Sequence, residues 1–321
     1  MVVLKIVILD GHAVNPGDLS WDFLNQFGHV TVYEATEQHQ VIPRIQDAEI
    51  ILINKIIINE SVLDACPKLK LICVLATGYN VVDCQACAER GIPVTNVPAY
   101  GTAAVAQFTF SLLLELCNQV GLHNQLVHDG QWPKHIGFCF WESPQMELAG
   151  KTMGIIGFGR IGRAVGQIAK AFGMQVLAYN RSRCPEGEAI AEYVDLDTLL
   201  EQSDIISLHC PQAPETINLI NRQTLSKMKD GAILLNTARG ALINEADVAW
   251  SLECGKLRGF AADVVSAEPI ADHNPLLSAP NCILTPHMAW APIESRKRIL
   301  QSVTQSIEGF LSGTLINTVN L

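Results

Sequence analysis

Three glycines spaced as Gly157-Phe158-Gly159-Arg160-Ile161-Gly162 follow directly on an apolar run, Thr152–Ile156, and lead into a helix-like segment, Arg163–Phe172. No other feature restricts the fold so tightly. The first glycine permits a sharp turn out of a strand, the second lets backbone approach a ligand, and the third lets a helix lie close on the strand. A helix starting there aims unbonded N–H groups and the positive end of its dipole at the turn, which suits a pyrophosphate. Alone, the pattern is weak, and a functionless glycine turn competes with it. Its place between a strand and a helix makes dinucleotide binding the expectation.

The rest of the chain fits that frame. Short Val/Ile/Leu runs alternate with helix-length segments almost from end to end. Early strands are predicted at Leu4–Leu9, Val30–Tyr33, Ile50–Ile53, Leu71–Val74 and Pro93–Val94, with helices near Asp18–Gln26, Val41–Ile45, Glu60–Ala65 and Val82–Arg90. A second series follows Lys151, with six strands at Thr152–Ile156, Gln175–Ala178, Ile205–Leu208, Ala232–Asn236, Gly259–Ala262 and Cys282–Leu284. Continuous apolar strands alternating with helices imply parallel sheets covered on both faces. The fold class is therefore α/β with two doubly wound domains, as a length of 321 residues suggests.

Composition excludes other classes. Apolar residues are 49% and charged residues 17%, too rich in core material for disorder or a small disulfide scaffold. Lys plus Arg number 22 against 32 Asp plus Glu, a net charge of −10 that would repel a phosphate backbone, so no nucleic-acid partner is expected. Met1–Asp10 carries a charge inside its apolar run and an acid after it, so it reads as a buried strand rather than a signal peptide. Phe108–Cys117 falls short of the ~20 residues of a membrane span. No membrane association and a cytoplasmic location are expected. Of the ten cysteines only Cys84 and Cys87 form a C-x-x-C pair, without the second pair or histidines of a zinc site. Reduced core thiols and no metal are the expectation. Ala103–Asn118 is apolar on nearly every side and should be buried all round, Asp129–Glu147 reads as a long irregular loop, and Ile293–Leu311 as a final helix returning to the first domain.

Further chemistry sits just past predicted strand ends, where open α/β sheets bind ligands. The strand Val176–Tyr179 is followed by Asn180-Arg181-Ser182-Arg183, with no acid to hold adenosine ribose hydroxyls. Arg181, with Ser182 or Arg183, offers instead a seat for a 2′-phosphate, which favours NADP over NAD. The plainer reading is a solvated turn in which Asn180 bonds the ribose. Downstream lie Asn236-Thr237-Ala238-Arg239-Gly240, Asp263 with Glu268-Pro269, and Pro286-His287. Arg is a planar fork for a carboxylate, His exchanges protons near neutral pH, and a carboxylate on its far nitrogen fixes its tautomer. Singly, each is more often a salt-bridge partner, a surface acid or a loop histidine. Together, at successive strand ends after a glycine loop, they read as a catalytic set. His209, in Leu208-His209-Cys210-Pro211, is expected to line the cofactor cleft rather than react.

Taken in order, Gly157–Gly162, Ser207–Pro211, Asn236–Gly240, Ala262–Val264 through Glu268-Pro269, and Thr285–His287 resemble the D-isomer-specific 2-hydroxyacid dehydrogenases, and within them the glycerate dehydrogenase/hydroxypyruvate reductase type. The likeness covers essentially the whole chain. It implies a Rossmann cofactor domain, residues 100–288, inserted into a flavodoxin-like substrate domain, residues 1–99 and 289–321. The family's catalytic residues fall on Arg239, Glu268 and His287. Substrate contacts fall on Ala76, Thr77, Gly78 and Tyr100, with Arg239 and His287. Cofactor contacts fall on the glycine loop and on Asn180, Arg181, Ser182, His209, Cys210 and Pro211. They continue through Thr216, Thr237, Ala238, Arg239, Asp263 and His287, with Asp263 near the nicotinamide amide. A homodimer is implied, with the long helix after Pro98 at its interface.

Two departures stand out: the ribose-binding acid is replaced around Asn180-Arg181, and Val105-Ala106-Gln107 stands where many members have Val-Ala-Glu. Glu268, rather than Gln, argues against the formate dehydrogenase branch. The expected activity is hydride transfer between NADP or NAD and a small 2-oxo acid, hydroxypyruvate or glyoxylate first. A D-lactate-type dehydrogenase and a dinucleotide-sensing corepressor are the alternatives. A methyltransferase would leave Arg239, Glu268 and His287 unexplained. Side-chain preference beyond C2 should depend on His135–Trp141, Trp290 and Tyr100.

Overall fold

The computed structural model describes residues 4–321; Met1, Val2 and Val3, the start of the expected first strand, lie outside them. Contacts divide the chain into two units, Met1–Gly101 with Ala291–Leu321, and Thr102–Trp290. Each boundary falls two residues beyond the one read from the sequence.

In the first unit β1 (Leu4–Ile8), β2 (Gly28–Val32), β3 (Ile50–Ile53), β4 (Leu71–Val74) and β5 (Val94–Thr95) form one parallel sheet in the order β2-β1-β3-β4-β5. Every residue of β3 and β4 is buried, as their unbroken apolar runs require. Helices Glu60–Ala65 and Cys84–Glu89 begin where Asn59 and Asp83 accept hydrogen bonds from Val62 N and Ala86 N. The final helix, Ile293–Ser312, packs on β4 and stops at Gly313 in the left-handed region. Arg296 on this helix grips the Asp18 carboxylate with two 2.6 Å bonds, which holds that carboxyl below its usual range. The helix expected over Asp18–Gln26 is reduced to a 3-10 turn, Asp22–Gln26. Asn15 Oδ1 takes the N–H groups of Gly17 and Leu19 at 3.1 and 3.0 Å, and that local turn displaces the first helical bonds.

The second unit contains β6 (Thr152–Ile156), β7 (Gln175–Tyr179), β8 (Glu192–Tyr193), β9 (Ile205–Leu208), β10 (Ala232–Asn236), β11 (Leu257–Ala262) and β12 (Cys282–Leu284). Its parallel sheet runs β12-β11-β10-β9-β6-β7-β8, the doubly wound order, with chain reversal between β6 and β9. Sequence periodicity missed β8 because two residues carry no pattern. Helix Thr102–Asn118 buries Ala104, Phe110, Leu113 and Cys117, but Gln107 and Ser111 are exposed, so burial on every side does not hold within one chain. A helix not foreseen, Val120–His128, follows at 56° and buries none of its residues. Among the described residues no single helix is long and apolar enough to cross a membrane. All ten cysteines are free; Cys66, Cys73, Cys87, Cys117 and Cys210 are core residues, whereas Cys139 and Cys254 are exposed, contrary to a uniform core role.

Candidate active site

The glycine loop leaves β6 with Gly157 at φ +93°, a backbone conformation that L side chains rarely adopt. A Cβ there would lie 2.2 Å from Cys210 N, so the turn is pressed against the segment leaving β9. A Cβ on Gly162 would meet Gly157 O at 2.3 Å, which keeps helix Arg160–Ala171 tight on the turn. Gly159 differs: a Cβ there would meet nothing within 4 Å. Open space thus lies at the N-terminus of a twelve-residue helix, where the first N–H groups have no intrahelical acceptor. These features fit a dinucleotide pyrophosphate.

At the end of β7, Asn180 Oδ1 accepts from Phe158 N (3.2 Å) and its Nδ2 donates to Ser182 O (2.8 Å). Its amide therefore joins the glycine loop to the following turn. Arg183 donates to Tyr193 O at 3.5 Å and lies over the Tyr193 ring. Arg181 is exposed and makes no ion pair among the described residues, which leaves a guanidinium presented beside the turn. His209 Nε2 lies 2.8 Å from Ser207 Oγ, and burial pushes the ring's pKa down to about 3, so the imidazole is neutral. Thr216 Oγ1 donates to Pro211 O (2.8 Å) and accepts from Ala213 N, so its hydroxyl closes the Pro211–Thr216 turn. Thr109 Oγ1 bonds Val105 O at 2.8 Å and lies 3.0 Å from Thr237 Oγ1, which ties the β10 exit to helix Thr102–Asn118.

Three adjacent strands lead into the residues predicted to be catalytic. Buried Asn236 ends β10; its Nδ2 donates to Arg239 O (2.9 Å), and its Oδ1 accepts from Ala238 N. That brace turns Arg239 outward, where one guanidinium N–H meets Ala238 O and no acid pairs with it among the described residues. After β11 the chain carries Asp263 and then Glu268; after β12 it carries His287. Glu268 Oε2 is 2.7 Å from His287 Nδ1, so the carboxylate fixes Nε2 as the ring's outward nitrogen. Both side chains remain partly exposed, at 35% and 29%, so a substrate can reach the pair. His287 has φ +54°. Buried Asp263 holds that turn by accepting from Thr285 Oγ1 (2.6 Å), Met288 N (2.8 Å) and Ala289 N (2.7 Å). Sequence reasoning missed this grip; the resemblance had implied a nicotinamide contact for Asp263. The glycine after Arg239 closes the set, because a Cβ on Gly240 would fall 1.9 Å from the carbonyl carbon of Val265. Arg239's segment therefore abuts the loop that carries Glu268.

In the first unit, the loop after β4 holds Ala76, Thr77 and Gly78. Ala76 O accepts from Val97 N (3.0 Å), Thr77 O from Asn96 Nδ2 (2.8 Å), and Thr77 Oγ1 donates to Val97 O (2.9 Å). The carbonyls are thus engaged, while among the described residues Thr77 and Gly78 N–H find no acceptor. Tyr100 O accepts from Arg298 Nε at 2.8 Å. Half-buried Asp10, which sequence reasoning passed over, takes the N–H groups of Asn54 and Lys55 beyond β3, and partial burial pushes its carboxyl up. Among the described residues no three His, Cys, Asp or Glu side chains group as a metal site.

The sequence and the fold each have known counterparts. Residues 110–289 match the family model for the D-isomer specific 2-hydroxyacid dehydrogenase NAD binding domain. The chain is 51% identical over 321 residues to a hydroxypyruvate reductase of Blautia hydrogenotrophica, covering 99% of this chain and all of that one. It is 38% identical to a glycerate dehydrogenase of Methylorubrum extorquens, over 98% of each. Among solved structures, an acyclic imino acid reductase in complex with NADPH and D-Arg superposes with a TM-score of 0.85 at 28% identity, over 98% of this chain and 100% of that one. A match that takes in the glycine turn and all three strand-end groups, together with half-identity along the full length, makes this chain a member of the D-isomer specific 2-hydroxyacid dehydrogenase family.

Proposed function

We propose that the protein reduces a small 2-oxo acid, hydroxypyruvate or glyoxylate, to the D-2-hydroxy acid with NAD(P)H. The observation that carries this is the 2.7 Å Glu268–His287 pair at the carboxyl edge of a sheet that also presents Arg239. Arg239 offers two parallel N–H donors to the substrate carboxylate and polarises the neighbouring ketone. In the first unit, Thr77 and Gly78 offer backbone N–H groups of the kind that bind a carboxylate. His287 donates its Nε2 proton to the carbonyl oxygen while Glu268 keeps Nδ1 protonated and the ring aligned. The reduced nicotinamide, when bound, supplies the hydride that C2 receives. Substrate choice rests on the full-length likeness to the Blautia hydroxypyruvate reductase.

His287→Gln should lower kcat by about 10²- to 10⁴-fold, the scale of a lost general acid, with cofactor affinity little changed. Stopped-flow reduction of hydroxypyruvate beside a fluorescence titration of the cofactor checks both. Undiminished turnover would remove His287 from the proton transfer.

NADP is the preferred cofactor in this reading, supported by unpaired Arg181 and by the missing acid after β7. Arg181→Ala should raise the KM for NADPH about 10- to 100-fold, the worth of a charge-assisted phosphate contact, and leave that for NADH nearly unchanged. Equal losses for both nucleotides would refute the 2′-phosphate role. The chain is also proposed to pair with a second copy through the apolar side chains exposed between Val120 and Trp141. Ten unpaired cysteines support a reducing, cytoplasmic setting.

A further inference from the structure

Asn244-Glu245 opens helix Glu245–Glu253, with Asn244 accepting from Asp247 N as its cap. An acid in a first turn ordinarily faces the helix's own N–H groups. Glu245 does not. Its Oε1 takes Ser266 N at 2.7 Å, and its Oε2 takes Ser266 Oγ at 2.8 Å and Asn274 Nδ2 at 2.9 Å. Asn274 is itself buried and fixed, accepting from Leu276 N at 3.0 Å. One carboxylate therefore joins a helix start, the loop after β11 and the turn at Asn274.

Ser266 stands two residues before Glu268. Its other side is closed as well, since a Cβ on Gly240 would lie 2.3 Å from Ser266 N. The loop carrying Glu268 is thus held between the backbone beyond Arg239 and the carboxylate of Glu245. We infer that Glu245 is a positioning residue for the reaction: it touches neither substrate nor cofactor, and by accepting from both the N–H and the hydroxyl of Ser266 it sets Glu268 at hydrogen-bonding distance from His287. The inference rests on the acid–base reading of Glu268 and His287. Catalytic geometry is steep enough for this to matter, because a displacement of about 1 Å can cost on the order of 10²-fold in rate.

The test compares Glu245→Ala, Glu245→Gln and Ser266→Ala, each alone and with Glu268→Gln, in the full chain. The readouts are kcat and its pH profile with hydroxypyruvate and NADPH, the NADPH dissociation constant, and the melting temperature. Glu245→Ala should lower kcat about tenfold and move the alkaline limb of the profile to lower pH, with NADPH affinity unchanged. Glu245→Gln still accepts from Ser266 N and donates to Ser266 Oγ, losing only the bond from Asn274 Nδ2, so it should recover most of the rate. With Glu268→Gln already present, Glu245→Ala should add little. Should Glu245→Ala fail to fold, Glu245→Gln and Ser266→Ala probe the same contact. A wild-type rate and pH profile in Glu245→Ala, or losses that multiply with those of Glu268→Gln, would overturn the inference. If His287→Gln is inactive in the same assays, that result leaves the acid–base reading standing; an active His287→Gln would remove both.

Discussion

His209 stands at the end of β9 with its Nε2 on Ser207 Oγ, and burial holds its pKa near 3 against an ordinary 6.5. The sign of the consequence follows from proton uptake. Below about pH 6.5 the unfolded chain binds a proton that the native ring refuses, so stability is full above that value and is lost as pH falls towards 3. One such proton gives a slope of at most about 1.4 kcal/mol per pH unit. In cofactor-free protein, His209→Gln should therefore flatten the fall in melting temperature between about pH 6 and pH 4. Parallel curves for the two proteins would show that another group drives acid loss. At this scale Arg239, Glu268, His287 and the glycine turn were legible because each follows a recognisable strand, and strand ends are where such folds bind ligands. Glu245 and Asp263's grip on the His287 turn were not. Glu245 bonds Ser266 and Asn274, 21 and 29 residues further along, and no local pattern encodes such a partner.

Among the elements, those buried on both faces were the easiest to read. Ile50–Ile53, Leu71–Val74, Ile205–Leu208 and Ala232–Asn236 occupy the predicted residues, and each is buried throughout. An unbroken apolar run between turn residues leaves little choice of structure. Elements without a buried face gave no such signal. Helix Val120–His128 buries nothing, so its sequence has no stripe to display, and Glu192–Tyr193 is a two-residue edge strand. Asp18–Gln26 failed for the opposite reason. Its composition allows a helix, yet Asn15 upstream spends its side chain on Gly17 and Leu19 and holds the chain in a turn. Local hydrogen bonding outweighed propensity there, as it does wherever a short polar side chain reaches the first N–H groups.

For the whole molecule the open question is what covers the apolar surface that one chain leaves in water. A net charge of −10 opposes non-specific association, so an exposed apolar cluster on such a chain calls for a particular partner. Ile136 is 103% exposed and Phe138 91%, and Trp132 and Trp141 stand partly free beside them. Burying an aliphatic or aromatic side chain of this kind is worth about 1.5–3 kcal/mol each, enough for a few of them to hold two chains together. A second copy carries the same surface, and a two-fold pairing would let it cover itself. The wild-type protein should accordingly sediment near twice 35.0 kDa at micromolar concentration, whereas Ile136→Ser with Phe138→Ser should sediment as a single chain. Neither substitution touches Arg239, Glu268 or His287, so the acid–base geometry of the second unit should survive in the separated chains. A wild-type protein that remains monomeric at those concentrations would assign the apolar cluster to a different occupant.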